Sequence, residues 1–142
     1  MRAARQAPLS FAAMRQPITD ELRRFILTSV PSVPYLEAML LLRGEPQAAW
    51  DTPVLARRLY VPPARAAELL QQLAEAGFIT PVMQGWHWQP PAEAAQRVDE
   101  LAAAYSDNLL GVTKLIHSRE DRRARQFADA FRLRKDGRGT ED

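Results

Sequence analysis

Two adjacent prolines, Pro62-Pro63, divide two short stretches of helical pattern, and this punctuation constrains the fold more than any other feature. Asp51 and Thr52 offer an N-cap and Pro53 a first-turn residue, so a helix opens there and runs through Leu59. Pro63 opens another over Ala64 to Ala76, in which Ala66, Leu69, Leu70 and Leu73 form one apolar stripe and Gly77 permits a left-handed exit. Only Tyr60-Val61-Pro62 lies between them, which predicts two helices joined by a tight turn. Phe78, Ile79 and Val82 then read as a strand and Trp86, His87 and Trp88 as its antiparallel partner, joined through Gln84-Gly85.

The flanking segments are also helical in pattern. Residues 1–16 lack periodicity and are expected to form a basic, flexible arm. Ile18, Leu22, Phe25 and Ile26 recur at helical spacing up to Thr28. Ser32 and Pro34 start a second helix over Tyr35 to Arg43, apolar nearly all round and so expected at the centre of the core, with Gly44 as its stop. From Ala92 to Ser118, Ala95, Val98, Leu101, Tyr105, Leu109, Val112 and Ile116 lie three or four apart. One helix over that span would be about 38 Å long. Gly111 is out of place in a helix interior and predicts a bend or a close contact there. Residues 119–142 form a charged tail around Phe127, Phe131 and Leu133.

At 142 residues the chain has room for one core, residues 17–91 with the long helix 92–118 appended. The absence of cysteine excludes a disulfide framework, a thiolate zinc site and a cysteine nucleophile. The longest uncharged stretch, Ala76 to Ala92, contains Gly77, Pro81, Gln84, Gly85 and Pro90, so no membrane span is expected. The apolar run between Arg5 and Arg15 is short and broken by Pro8, which argues against a secretory signal and for a cytoplasmic protein.

The segment from Thr52 to Ile79 resembles the helix–turn–helix of bacterial winged-helix transcription regulators. The likeness rests on the Leu55-Ala56 pair, the Leu59-Tyr60-Val61 turn and the Leu73-Ala-Glu-Ala-Gly-Phe-Ile79 exit, and spans residues 34–90, about 40% of the chain. The tail Phe127-Ala-Asp-Ala-Phe131-Arg-Leu-Arg-Lys-Asp136 is similar to the ending of small bacterial winged-helix proteins. The implied fold is mainly α (α+β), a winged helix–turn–helix with a long C-terminal helix. The implied function is that of a dimeric regulator that reads double-stranded DNA with the helix 63–76. Arg65, Glu68, Gln71 and Gln72 would then face base edges, with Arg57 and Arg58 on phosphates. Dimerisation would use the stripe Val98, Leu101, Tyr105, Leu109, Val112 and Ile116 as a seam, the long helix being similar to those through which several such families pair; the alternative is that the stripe folds back over the first helix, and the seam is the favoured reading.

Charge opens an alternative. Residues 31–91 carry four Arg against five acidic residues, and the hairpin Gln84-Gly-Trp-His-Trp-Gln89 has no basic side chain, whereas DNA affinity rests on Lys and Arg. A protein-interaction adaptor would instead use Trp86 and Trp88, or Phe127 and Phe131. Trp86 and Trp88 share one strand face, and the expectation is that both close the core. His87 and His117, the only histidines, lie in no metal-ligand spacing. With no phosphate-binding glycine loop and no catalytic motif, no enzyme activity, metal or cofactor is expected.

Overall fold

Side-chain caps open the first three helices of the computed structural model, which describes residues 18–139, with side chains as far as residue 133. The expected arm at residues 1–16 lies outside the described residues. In helix α1 (Asp20–Ser29) the Thr19 hydroxyl accepts from the Leu22 N–H at 3.1 Å. In α2 (Val33–Gly44) Ser32 accepts from Tyr35 at 3.2 Å, and in α3 (Thr52–Leu59) Asp51 accepts from Val54 at 2.9 Å. Each cap satisfies an N–H that the first turn leaves without an intrahelical partner.

Tyr60 closes α3 in the left-handed region, with φ 59°, which reverses the chain into α4 (Pro63–Glu75). Gly77, with φ 85°, ends α4 and delivers Phe78, whose N–H reaches the Leu73 carbonyl at 3.0 Å. Strands β1 (Ile79–Val82) and β2 (Gly85–Trp88) pair antiparallel, with Ile79 opposite Trp88 and Val82 opposite Gly85. The fold is mainly helical with this small antiparallel sheet. As expected, α2 is central: Tyr35, Leu36, Ala38, Met39 and Leu42 are buried. The core is continuous from Leu22 and Ile26 of α1 through α2, α3 and α4 to Trp88 of β2.

The expected single helix over 92–118 is two helices, α5 (Ala92–Asp107) and α6 (Leu109–Gly139). Asn108 makes the break, leaving helical geometry at φ −141°, ψ 64° while its side-chain oxygen accepts from the Gly111 N–H at 3.1 Å. Gly111 therefore marks a close contact rather than the bend itself. A Cβ there would meet the Asn108 side chain at 2.5 Å. The segment from residue 119 to 139, expected as a separate tail, continues α6.

The expected dimer seam is corrected by the same geometry. The turn at Asn108 lets α5 and α6 pack together and against α1, and Val98, Leu101, Val112 and Ile116 are 0% exposed inside this one chain. Tyr105 is half-buried against the same core, and of the stripe only Leu109 faces solvent. No single helix among the described residues is long and apolar enough to cross a membrane.

Trp50, in the loop before α3, forms a bridge with Trp86: each N–H donates to the other's carbonyl at 2.7 Å. Gly85 makes this approach possible, because a Cβ at that position, where φ is 132°, would lie 2.7 Å from the Trp50 carbonyl carbon. Gly85→Ala is expected to destabilise the fold by about 2 kcal/mol or more, through a steric clash at a backbone angle alanine disfavours. Gly44→Ala, with nothing within 4 Å of the new methyl, should be close to neutral. Urea denaturation of the two variants checks the contrast.

Candidate functional site

The outward face of α4 and the turn before it hold most of the expected DNA-contacting residues, and the structure sorts them by partner. Arg57 is exposed, has no ion-pair partner among the described residues, and stands beside Tyr60, which is 95% exposed. Arg65 is half-buried; one nitrogen lies 3.2 Å from the Glu68 carboxylate and another donates to the Ser32 hydroxyl at 3.4 Å. Gln71 donates to Glu75 at 3.2 Å. Arg65, Glu68 and Gln71 thus share one face with Ala64 and Ala67, both exposed.

Arg58 and Gln72 are corrected. Arg58 donates to Glu45 at 2.7 Å and its guanidinium lies 5.2 Å from the centre of the Trp50 ring, so it closes the bridge loop from above. Gln72 does not point outward with its neighbours. It is half-buried and lines a groove against α6, and its side-chain oxygen is buried with no hydrogen-bond partner among the described residues. A helix turns 100° per residue, so Gln71 and Gln72 cannot share a face so narrow.

In the hairpin, Trp88 is buried and stacks on Phe78 at 5.8 Å between ring centres, while Trp86 is half-buried against the core. Both indoles therefore serve the core, and the hairpin tip offers Val82 and Met83. Far along α6, Phe127 and Phe131 stack on each other at 6.5 Å and are 74% and 61% exposed.

Sequence reasoning missed the groove that Gln72 enters. It measures about 430 Å³ and lies between the C-terminal end of α4, the end of α1 and the middle of α6. Arg119 and Arg123 line it from α6, Tyr35 and Gln72 from the core side. Burial pushes the Tyr35 phenol up to about 12, against the attraction of the Arg119 charge. Burial, and then repulsion from Arg123, lowers the Arg119 guanidinium below its ordinary value, with Tyr35 opposing. The signal available in the sequence was the four-residue spacing of the two arginines, which places them on one helix face.

No family model matches the chain, and neither a curated protein nor a solved structure matches it.

Arg58→Ala is expected to cost about 1 kcal/mol, from one partly exposed ion pair and one cation–π contact. Arg57→Ala should change stability by less than about 0.5 kcal/mol. Thermal melts of the two variants distinguish a structural arginine from an available one.

Tyr35 generates a pH dependence. Its folded pKa of about 12 lies above the ordinary 10.0, so its contribution to stability is fully present below pH 10 and is lost as pH rises towards 12, where only the unfolded phenol ionises readily. Tyr35→Phe should make the alkaline loss of stability shallower, as read by denaturation across that window. Tyr105, also raised by burial and by Glu37, retains part of the slope.

Proposed function

We propose that the chain is a DNA-binding transcription regulator of the winged helix–turn–helix kind, acting in the cytoplasm as a homodimer, with the outer face of α4 laid in the major groove. The observation that carries this reading is the composition of that face. Ala64 and Ala67 keep it low, and Arg65, Glu68 and Gln71 supply donors and acceptors suited to base edges. The pairs Arg65 to Glu68 and Gln71 to Glu75 are exposed and lie within one helix, and Arg65 has besides them only a long 3.4 Å hydrogen bond to Ser32 among the described residues. Such pairs are worth about 0–1 kcal/mol and exchange readily for a better partner. Arg57, with no carboxylate partner among the described residues, is the phosphate contact beside the turn.

With Arg58 held by Glu45 and Trp50, and Gln72 turned inward, few basic groups remain on this surface. Specificity then rests on base contacts and on pairing two copies over half-sites about 34 Å apart, rather than on general attraction to DNA. Leu109 and Leu110, exposed at the start of α6, are among the apolar residues that the intrachain core leaves over, and they would serve a second copy.

A second reading, a protein-interaction adaptor, is favoured by one observation: the stacked, exposed Phe127 and Phe131 on a stretch of α6 whose described side chains all face solvent.

The deciding experiment measures binding to labelled duplexes, random and then selected, at several salt concentrations. The DNA reading expects a shallow salt slope, roughly −1 for each chain from the phosphate contact of Arg57. It also expects a loss of about 1–3 kcal/mol for each base contact removed in Arg65→Ala with Gln71→Ala. A folded protein that binds no duplex at low salt, or a double variant with unchanged affinity for the selected site, overturns it and makes the adaptor the leading function.

A further inference from the structure

We propose that the groove between α4 and α6 binds a small organic oxyanion, a carboxylate or phosphate ester that also carries an ammonium or hydroxyl group. This inference stands independently of the DNA reading. The two walls have opposite chemistry. On α6, Arg119 and Arg123 sit one turn apart and present guanidinium donors, and neither forms an ion pair among the described residues. On α4, the Gln72 oxygen and the Glu75 carboxylate present acceptors, Glu75 already receiving one hydrogen bond from Gln71. Tyr35, a neutral phenol, also lines the groove.

The accounting of polar groups points to an occupant. One terminal nitrogen of Arg119 and the side-chain oxygen of Gln72 are both removed from solvent and without a partner. Native proteins leave few such groups, since each one costs about 1–3 kcal/mol. One lacks an acceptor and the other lacks a donor; both residues line the same groove, and the two atoms lie just beneath its surface, where a small rotation of either side chain brings them to an occupant. Two guanidiniums one turn apart also repel, and an oxyanion between them relieves that repulsion. A bare anion satisfies only the α6 wall. A molecule with an oxyanion at one end and a donor at the other satisfies both, and about 430 Å³ suits a metabolite of that size.

The test titrates the full chain with L-serine, O-phospho-L-serine and inorganic phosphate by calorimetry, with thermal melts in parallel. These probes separate carboxylate from phosphate recognition while keeping the donor in the first two. Saturable binding of serine or phosphoserine is expected, with a rise in melting temperature. Arg119→Gln and Arg123→Gln should each weaken it by roughly tenfold or more, the loss of one charge-assisted contact. Gln72→Leu should weaken the donor-bearing probes and leave inorganic phosphate unchanged. Arg123 is exposed, so its variant tests the site even where Arg119→Gln unfolds the chain. Arg125→Gln, outside the groove, is the control. Equal affinities in wild type and Arg123→Gln overturn the proposal, as does silence from all three probes at concentrations that would saturate a site of about 1 mM. If Arg123→Gln instead weakens only duplex DNA binding while the small probes stay silent, the groove is a contact for nucleic-acid phosphate and the proposal also fails.

Discussion

The reciprocal hydrogen bonds between Trp50 and Trp86, 2.7 Å each way, carry the arrangement of the central elements. A two-stranded hairpin alone is marginal in water, and here one residue of the preceding loop supplies the third partner. The bridge fixes where α3 begins, because Asp51 caps that helix directly after Trp50. It also fixes the hairpin, whose Trp88 stacks on Phe78 at the exit of α4. The indole nitrogen of Trp50 is buried without a partner, a cost that the 1%-exposed ring offsets by its apolar burial. Arg58 and Glu45 cover the ring, which explains why a cation in the turn region belongs to the fold and not to a ligand.

A second constraint is the turn at Asn108. An apolar stripe at helical spacing states only that a face must be buried and is silent on whether the cover comes from another copy or from the same chain. Straight, a helix of that length would overrun the domain and need a partner. Broken by one residue that caps the next helix with its own side chain, the same stripe covers α1. The expected seam and the observed core are thus one set of residues, and a single non-helical backbone position decides between them.

What could be read from the residues follows from how local the determining interactions are. The starts of α2 to α4 were legible because caps and first-turn prolines act within four residues, whereas α1 was placed by its apolar spacing and its Thr19 cap was not read. The Gly77 exit and the hairpin were legible for the same reason. The α5–α6 break was not, because asparagine is ordinary on a helix surface, and only Gly111 three residues later hinted at it. In the candidate site, the face of Arg65, Glu68 and Gln71 could be placed by periodicity alone. The diversion of Arg58 to Trp50 and Glu45 could not, since it depends on a loop contact 13 residues back along the chain. The groove was hidden for a like reason: Tyr35, Gln72 and Arg119 are far apart in sequence and meet only through tertiary packing.

The arginines show why a count of charges is a weak guide to a partner. Arg58 is held by a carboxylate and a ring, Arg65 is shared with Glu68 and Ser32, Arg57 has no ion-pair partner among the described residues, and Arg119 and Arg123 stand one turn apart on α6 with like charges. Availability, set by neighbours, is what binding draws on. Helix α4 joins two of these environments: Arg65, Glu68 and Gln71 face outward, while Gln72 and Glu75 line the groove near its other end. Its 13 residues make a rod about 20 Å long. Such a rod does not bend at low cost, so an occupant that pulls on Gln72 must shift the outer face as a unit rather than rearrange single side chains. Both surfaces of α4 are therefore mechanically one, and any coupling between them runs through the packing of Leu69, Leu70 and Leu73 against α2 and the hairpin.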